Sequence, residues 1–137
     1  GDDTYRGVYC HYDGYLEYNG RMLLEHYNTQ ERVEKLLSLG CISSLKEKLE
    51  PEAGSRHCFD TPDKDVTVFY GRDRGEKGQE AFVCTKEQLN DPHSWIEYIY
   101  VFDNGTWYYS QIERNGFSEF RPLAPAIRKI NEKENAK

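Results

Sequence analysis

Alternating and helical spacings of apolar residues divide the chain into a short series of elements. Residues 4–11 read as a strand, with Tyr5, Tyr9 and His11 on one face and Val8 and Cys10 on the other. Asp13-Gly14 and Asn19-Gly20 are turn signals bracketing a Tyr-rich loop. Met22, Leu23, Leu24 and Tyr27 make residues 21–28 a short helix. Thr29 is placed to cap a second helix, with Glu31 and Glu34 in its first turns. Val33, Leu36 and Leu37 follow at i, i+3 and i+4, and Gly40 is a C′ glycine. Ser44-Leu45-Lys46-Glu47 has the form of a capping box, and Pro51 limits a helix there to about two turns.

Beyond a Pro- and Gly-containing loop over 51–64, Val66 to Tyr70 is the second clear strand. Residues 71–80 are rich in glycine and charge and read as an exposed loop. Residues 81–84 resume a short strand, and Thr85-Lys86-Glu87-Gln88 opens a brief helical turn ended by Pro92. The sharpest expectation is a hairpin from Trp95 to Ile112 around Asn104-Gly105, a pair suited to a type I′ turn because both positions need positive φ. Its register sets Phe102 opposite Trp107, Tyr100 opposite Tyr109 and Tyr98 opposite Gln111, with Val101–Tyr108 and Ile99–Ser110 on the other face. A further turn at Asn115-Gly116 leads into residues 117–123.

Strand, helices, then mostly strands predicts a single α+β domain over 1–124: a mainly antiparallel sheet with two or three short helices packed on one face. Residues 125–137 read as a charged tail, partly helical and fraying beyond Ile130. No repeat or linker divides the chain.

Composition sharpens this picture. The 137 residues suit one domain. Hydrophobic residues are only 37%, but 11 Tyr, 6 Phe and 2 Trp supply core-forming bulk that disordered chains lack. Eighteen basic against 24 acidic residues leave a net charge of −6, and residues 1–60, 61–80 and 81–137 each hold more acids than bases. Direct nucleic-acid binding therefore has no electrostatic footprint. No apolar run reaches the ~18–20 residues of a membrane span and no signal peptide is read, so a cytoplasmic location is expected, with no membrane partner. With Gly1 in place of an initiator Met, the reading leaves room for an upstream strand ahead of the sequence.

Cys10, Cys41, Cys58 and Cys84 include no C-x-x-C knuckle and are expected as reduced thiols. Cys10-His11 and His57-Cys58 could supply metal ligands, but adjacent residues of a strand point to opposite faces, so each pair offers one ligand per face. No metal and no cofactor are expected.

Several segments, taken in order, resemble one family. They are Tyr9-Cys10-His11-Tyr12-Asp13-Gly14-Tyr15, Leu24-Glu25-His26-Tyr27-Asn28, Ile42-Ser43-Ser44-Leu45, Phe59-Asp60, Arg72-Asp73-Arg74-Gly75-Glu76 and the hairpin from Tyr98 to Trp107. The pattern is similar to a family of small accessory proteins encoded by bacteriophages and prophages. It departs from the family at Tyr12, where members usually carry Trp, and at Cys41, where they carry Asp. Members also commonly begin with a short extra strand ahead of the position of Gly1. The resemblance implies a context, a protein made inside the bacterial host during infection or lysogeny, and a mode of action by binding; it does not supply a mechanism.

Three constellations could carry chemistry. His11, Asp13 and Tyr15 could form a polar pocket: His11 as proton donor or ligand contact, Asp13 orienting it, Tyr15 as a stacking wall. The competing structural reading has Asp13 closing a turn and His11 at the sheet edge. In Arg72-Asp73-Arg74-Gly75-Glu76, two guanidinium groups around a glycine turn could grip a phosphate or carboxylate, with Asp73 and Glu76 holding them in place; the alternative is a solvated surface. The aromatic face of the hairpin could stack bases, but Glu97 and Asp103 are its only charges, so core packing is the better reading.

No nucleophile elbow, P-loop, H-E-x-x-H or dinucleotide fingerprint is present. The expected function is therefore that of a non-enzymatic, phage-type binding protein, a counter-defence or host-modulating factor acting on a host protein. Its expected surface joins His11, Asp13 and Tyr15 to Arg72, Asp73, Arg74 and Glu76. The alternatives are a sponge for a nucleotide signal, a small hydrolase or nuclease using His11, Asp13 and Glu76 (with His57 and Asp60 as another acid/base pair), and a virion component. The oligomeric state is left open.

Overall fold

A computed structural model describes residues 4–11, 15–85, 97–113, 116–117 and 119–135. The chain folds as one mixed α+β domain. Strand β1 (Thr4–Gly7) is followed by a π-helical turn, Leu16–Gly20, that runs straight into helix α1 (Arg21–His26). Then come α2 (Gln30–Ser38), β2 (Ile42–Ser44), β3 (Val68–Phe69), the single-turn helix α3 (Tyr70–Arg74) and β4 (Phe82–Thr85). The C-terminal part holds β5 (Tyr98–Asp103), β6 (Thr106–Glu113), β7 (Gly116–Phe117), β8 (Arg121–Pro122) and α4 (Leu123–Asn135).

Antiparallel pairing is distributed over small sheets: β1 with β4, β2 with β3, and β5-β6-β7 with β8 also on β6. Past the end of β1 the chain joins β2 in parallel, where the Ile42 amide donates to Tyr9 O (2.7 Å) and the His11 amide to Ile42 O (2.9 Å). One core unites these pieces. Leu23 of α1, Val33 and Leu36 of α2, Ile42, Phe69, Trp107, Tyr109, and Leu123 and Ile127 of α4 form a single buried cluster, with Val8 and Cys10 packed against it.

The hairpin has the expected register at every pair from Tyr98↔Gln111 to Asp103↔Thr106. Asn104 and Gly105 both take positive φ, 51° and 82°, as the twist of a two-residue connection requires. Its aromatic ladder faces inward: Trp107 and Tyr109 are buried, and Phe102 and Tyr100 pack on the cluster. Helix α2 also follows its signals. The Thr29 side chain accepts from the Arg32 amide (3.3 Å), and Gly40 takes a φ of 87° just past the end. Gly40 has a second reason to lack a side chain, because a Cβ there would lie 2.4 Å from Gln79 O.

Four local expectations are corrected. Asn19-Gly20 is not a turn: it lies within the helical stretch, where Gly20 faces Tyr100 and Leu123. The capping-box segment from Ser44 forms no helix. It stays irregular, because Thr67 Oγ1 takes the Lys46 amide (2.9 Å) and donates to Lys46 O (3.0 Å), and because Leu45 and Leu49 are drawn into the core. The strand expected through Tyr70 stops at Phe69, and α3 occupies the first half of the expected loop, closed by Gly75 at φ 78°. The segment past Ile130 is helical to Asn135, anchored by Arg21 Nη2 on Asn131 Oδ1 (2.9 Å) and Glu134 Oε2 (3.0 Å). The turn expected at 85–92 lies outside the described residues from 86 onward, as does the first residue of the Asn115-Gly116 turn.

Candidate functional site

The structure divides the expected surface between two places. His11, at the end of the parallel bridge, and Tyr15, just before the π-helical turn, line a cleft of about 1750 Å³, and Glu76 lines the same cleft. Asp13 lies outside the described residues. Tyr15 is exposed and meets Tyr18 edge-on, with ring centroids 6.5 Å apart. Glu76 reaches the cleft because its amide donates back to Tyr70 O (3.0 Å), so the chain turns as it leaves α3.

Arg72, Asp73 and Arg74 do not line that cleft. The expectation that Arg72 and Arg74 grip a ligand together is corrected for Arg72, whose guanidinium is spent inside the fold. It donates to Leu49 O, to Thr67 O (2.9 Å) and to both oxygens of Asp73 (2.9 and 3.1 Å), and it stacks on the Phe69 ring (4.8 Å). Asp73 in turn accepts from the Phe69 amide (2.8 Å). Burial alone would raise the Asp73 carboxyl, but the Arg72 hydrogen bonds, the Phe69 amide and the Arg72 and His57 charges together hold it below the usual carboxylate range. Arg74 is the exposed member, lying over the Phe59 ring (4.7 Å) with Glu76 Oε1 3.8 Å from its Nε.

The tie between His57 and Asp73 could not be read from the sequence. His57 Nδ1 accepts from the Asp63 amide (2.8 Å), which leaves Nε2 to face Asp73. Nε2 lies 3.2 Å from Asp73 Oδ2, an ion-pair distance without the alignment of a hydrogen bond. The carboxylate beside His57 is that of Asp73, and both side chains are buried. Beside it, Cys58, Phe59, Asp60, Asp73 and Arg74 surround a small hollow of about 350 Å³. The hydroxyl of Thr61 sits 3.1 Å from Cys58 Sγ, and this contact, with the backbone amides of Thr61 and Asp60, lowers the thiol's pKa. Burial raises that of Cys84.

The large cleft has a wall composition that local reading overlooked. Besides His11, Tyr15 and Glu76 it takes in every residue of β1 and β5, with Tyr9, Phe82 and Tyr70. Its charged lining is Glu34, Glu76, Glu97 and Asp103 against Arg6 alone, among the described residues. The one available signal was the pair of acids at the ends of the first hairpin strand. Burial and neighbouring negative charge raise the Tyr98 hydroxyl pKa, and more strongly that of Tyr100, so both stay neutral donors at physiological pH.

Among the described residues no three His, Cys, Asp or Glu side chains are grouped to hold a metal ion, and no helix is long and apolar enough to cross a membrane. The fold and this cleft define a small α+β domain with an aromatic, acid-rimmed groove. No family model, curated protein or solved structure matches the chain.

Proposed function

We propose that this is a non-enzymatic binding protein of phage type, a counter-defence or host-modulating factor that acts by holding a host protein in the cleft bordered by His11, Tyr15 and Glu76. The observation that supports it is the convergence of His11 and Tyr15 with Glu76, from segments far apart in sequence, on one groove. The phage context rests on the sequence resemblance. The surface differs from the one expected in that Arg72 and Asp73 belong to the scaffold and Arg74 lies outside the cleft.

Its acidic lining works against the nucleotide sponge, since among the described residues a phosphate entering the cleft would meet four carboxylates and one guanidinium. A hydrolase keeps one supporting observation, His11 and Glu76 in the same cleft. Turnover of nucleotides or nucleic acids by the purified chain, with or without divalent metal, would replace the binding reading with that one.

The direct test is affinity capture from infected cells with the wild-type chain and with Tyr15→Ala and Glu76→Lys. Both side chains are exposed, so melting temperatures are expected to stay within about 3 °C of wild type. Loss of a host protein from both variants supports the cleft. Undiminished capture by both removes it.

A further inference from the structure

The cleft bordered by His11, Tyr15 and Glu76 has an uneven balance of charge. Among the described residues Glu34, Glu76, Glu97 and Asp103 line it, all four exposed, against the guanidinium of Arg6. Part of that acidity is already answered. Glu76 lies 3.8 Å from Arg74, and Glu34 accepts from Gln30 Nε2 (3.1 Å). Glu97 and Asp103, at the two ends of β5, enter no ion pair among the described residues.

Tyrosine rings share the lining with these carboxylates. Tyr9 is 51% exposed and meets Phe82 with ring centroids 5.0 Å apart. Tyr98, next to Glu97, stacks on Tyr100 at 12° and 6.3 Å. Burial and the charges of Glu17 and Glu97 raise the Tyr98 hydroxyl pKa, so the negative field of this wall reaches its ring. A ring face attracts a cation through its quadrupole, a carboxylate adds a full charge, and both repel an anion. The spacing of the charges sets the size of the ligand. Six residue steps part Glu97 from Asp103, about 20 Å of strand, whereas charges in physiological salt are screened over about 8 Å. One small amine answers one of these carboxylates; several cations on one scaffold answer both.

We propose that the partner protein enters the cleft with a basic surface, its lysine or arginine side chains lying against the Tyr9 and Tyr98 rings while Glu34, Glu76, Glu97 and Asp103 take up their charge. This rests on the reading of the cleft as a docking site and names the chemistry of what docks. Each carboxylate is exposed, so a single pair contributes little and salt weakens it. Affinity comes from several pairs formed together and from the ring contacts beside them. The field that draws a basic surface in turns an acidic one away, which gives the cleft its choice of partner.

The test uses the full chain and a fluorescent decapeptide alternating Lys and Gly, with a Gln–Gly decapeptide as control. Anisotropy titration at low salt is expected to show the Lys–Gly peptide binding at least about tenfold more tightly than the control, the difference shrinking as salt is raised. Glu97→Gln/Asp103→Asn removes two charges from the cleft and is expected to weaken binding roughly tenfold. Glu52→Gln/Glu132→Gln removes two exposed charges outside it and is expected to change affinity less than about twofold. Tyr9→Leu is expected to weaken binding about threefold. Melting temperatures are expected within about 3 °C of wild type; if Asp103→Asn loosens the hairpin, Glu97→Gln alone carries the comparison, at about threefold. Equal affinity for the two peptides, equal loss in the two double variants, or wild-type binding by Tyr9→Leu overturns the proposal. So does spermine binding more tightly than the Lys–Gly peptide, which makes a small polyamine the occupant. Capture that depends on Tyr15 and Glu76 without preference for the Lys–Gly peptide overturns this inference and leaves the docking reading standing. Capture indifferent to both residues removes the docking reading itself.

Discussion

The indole Nε1–H of Trp107 donates to the backbone oxygen of Tyr27 at 2.7 Å, in the interior of the domain. This bond joins strand β6 of the C-terminal hairpin to the residue that ends α1. Tyr27 carries the linkage further: its hydroxyl donates to Lys46 O and lies 3.3 Å from Thr67 Oγ1, and Arg32 stacks over its ring at 4.7 Å. Burial pushes the Tyr27 hydroxyl pKa up, so the group stays protonated as a donor. Replacing Trp107 by Phe keeps most of the apolar volume but leaves a buried carbonyl without its partner. A loss of about 1–3 kcal/mol in urea unfolding is expected, and near-native stability in Trp107→Phe would show that the bond contributes little.

The two arginines flanking Asp73 are expected to behave differently. Arg72→Ala removes bonds to Leu49 O and Thr67 O and strips the partner from a carboxylate whose side chain is only 4% exposed. A loss of about 3 kcal/mol or more is expected. Arg74, half exposed over Phe59, is expected to cost less than about 1 kcal/mol when changed to Ala. Parallel chemical denaturation of the two variants measures the difference, and equal losses would contradict the assignment of Arg72 to the scaffold.

Asp73 also sets a pH dependence. Its folded pKa lies below its ordinary value, so protonation is easier in the unfolded chain. Its contribution to stability is then fully present above the unfolded value of about 3.9 and is lost as pH falls through the lower folded value. Acid unfolding should be steeper for wild type than for Asp73→Asn in this window, with Asp73→Asn the less stable protein near neutral pH. Parallel acid limbs for the two proteins would show that other carboxylates govern acid unfolding.

Two glycines with similar backbone angles separate conformational strain from collision. Gly40 and Gly105 have φ of 87° and 82°, but only Gly40 has a neighbour, Gln79 O, where a Cβ would go. Gly105→Ala is expected to cost about 1–2 kcal/mol. Gly40→Ala should cost clearly more, because backbone must move. Thermal melts of the two variants rank them, and a Gly40 variant as stable as the Gly105 variant would mean that the 79–80 segment yields easily.

The backbone conformation of some elements was legible in the sequence because their determinants lie within a few residues of one another. Asn104-Gly105 fixed both the turn and the register of six residue pairs, since a slip of one would turn the aromatic ladder outward. Thr29 and Gly40 bounded α2 by satisfying or releasing backbone groups within one turn. Tertiary structure decided the cases in which a local signal met a stronger distant partner. The capping-box segment gave up its helix to the Thr67 hydroxyl and the core, and Arg72 turned inward because the carbonyls of Leu49 and Thr67 lay within reach. The cleft is of the same kind: periodicity assigns side chains to faces of a strand, but only the tertiary structure brings residues of β1 and β5, far apart in sequence, to line a common groove.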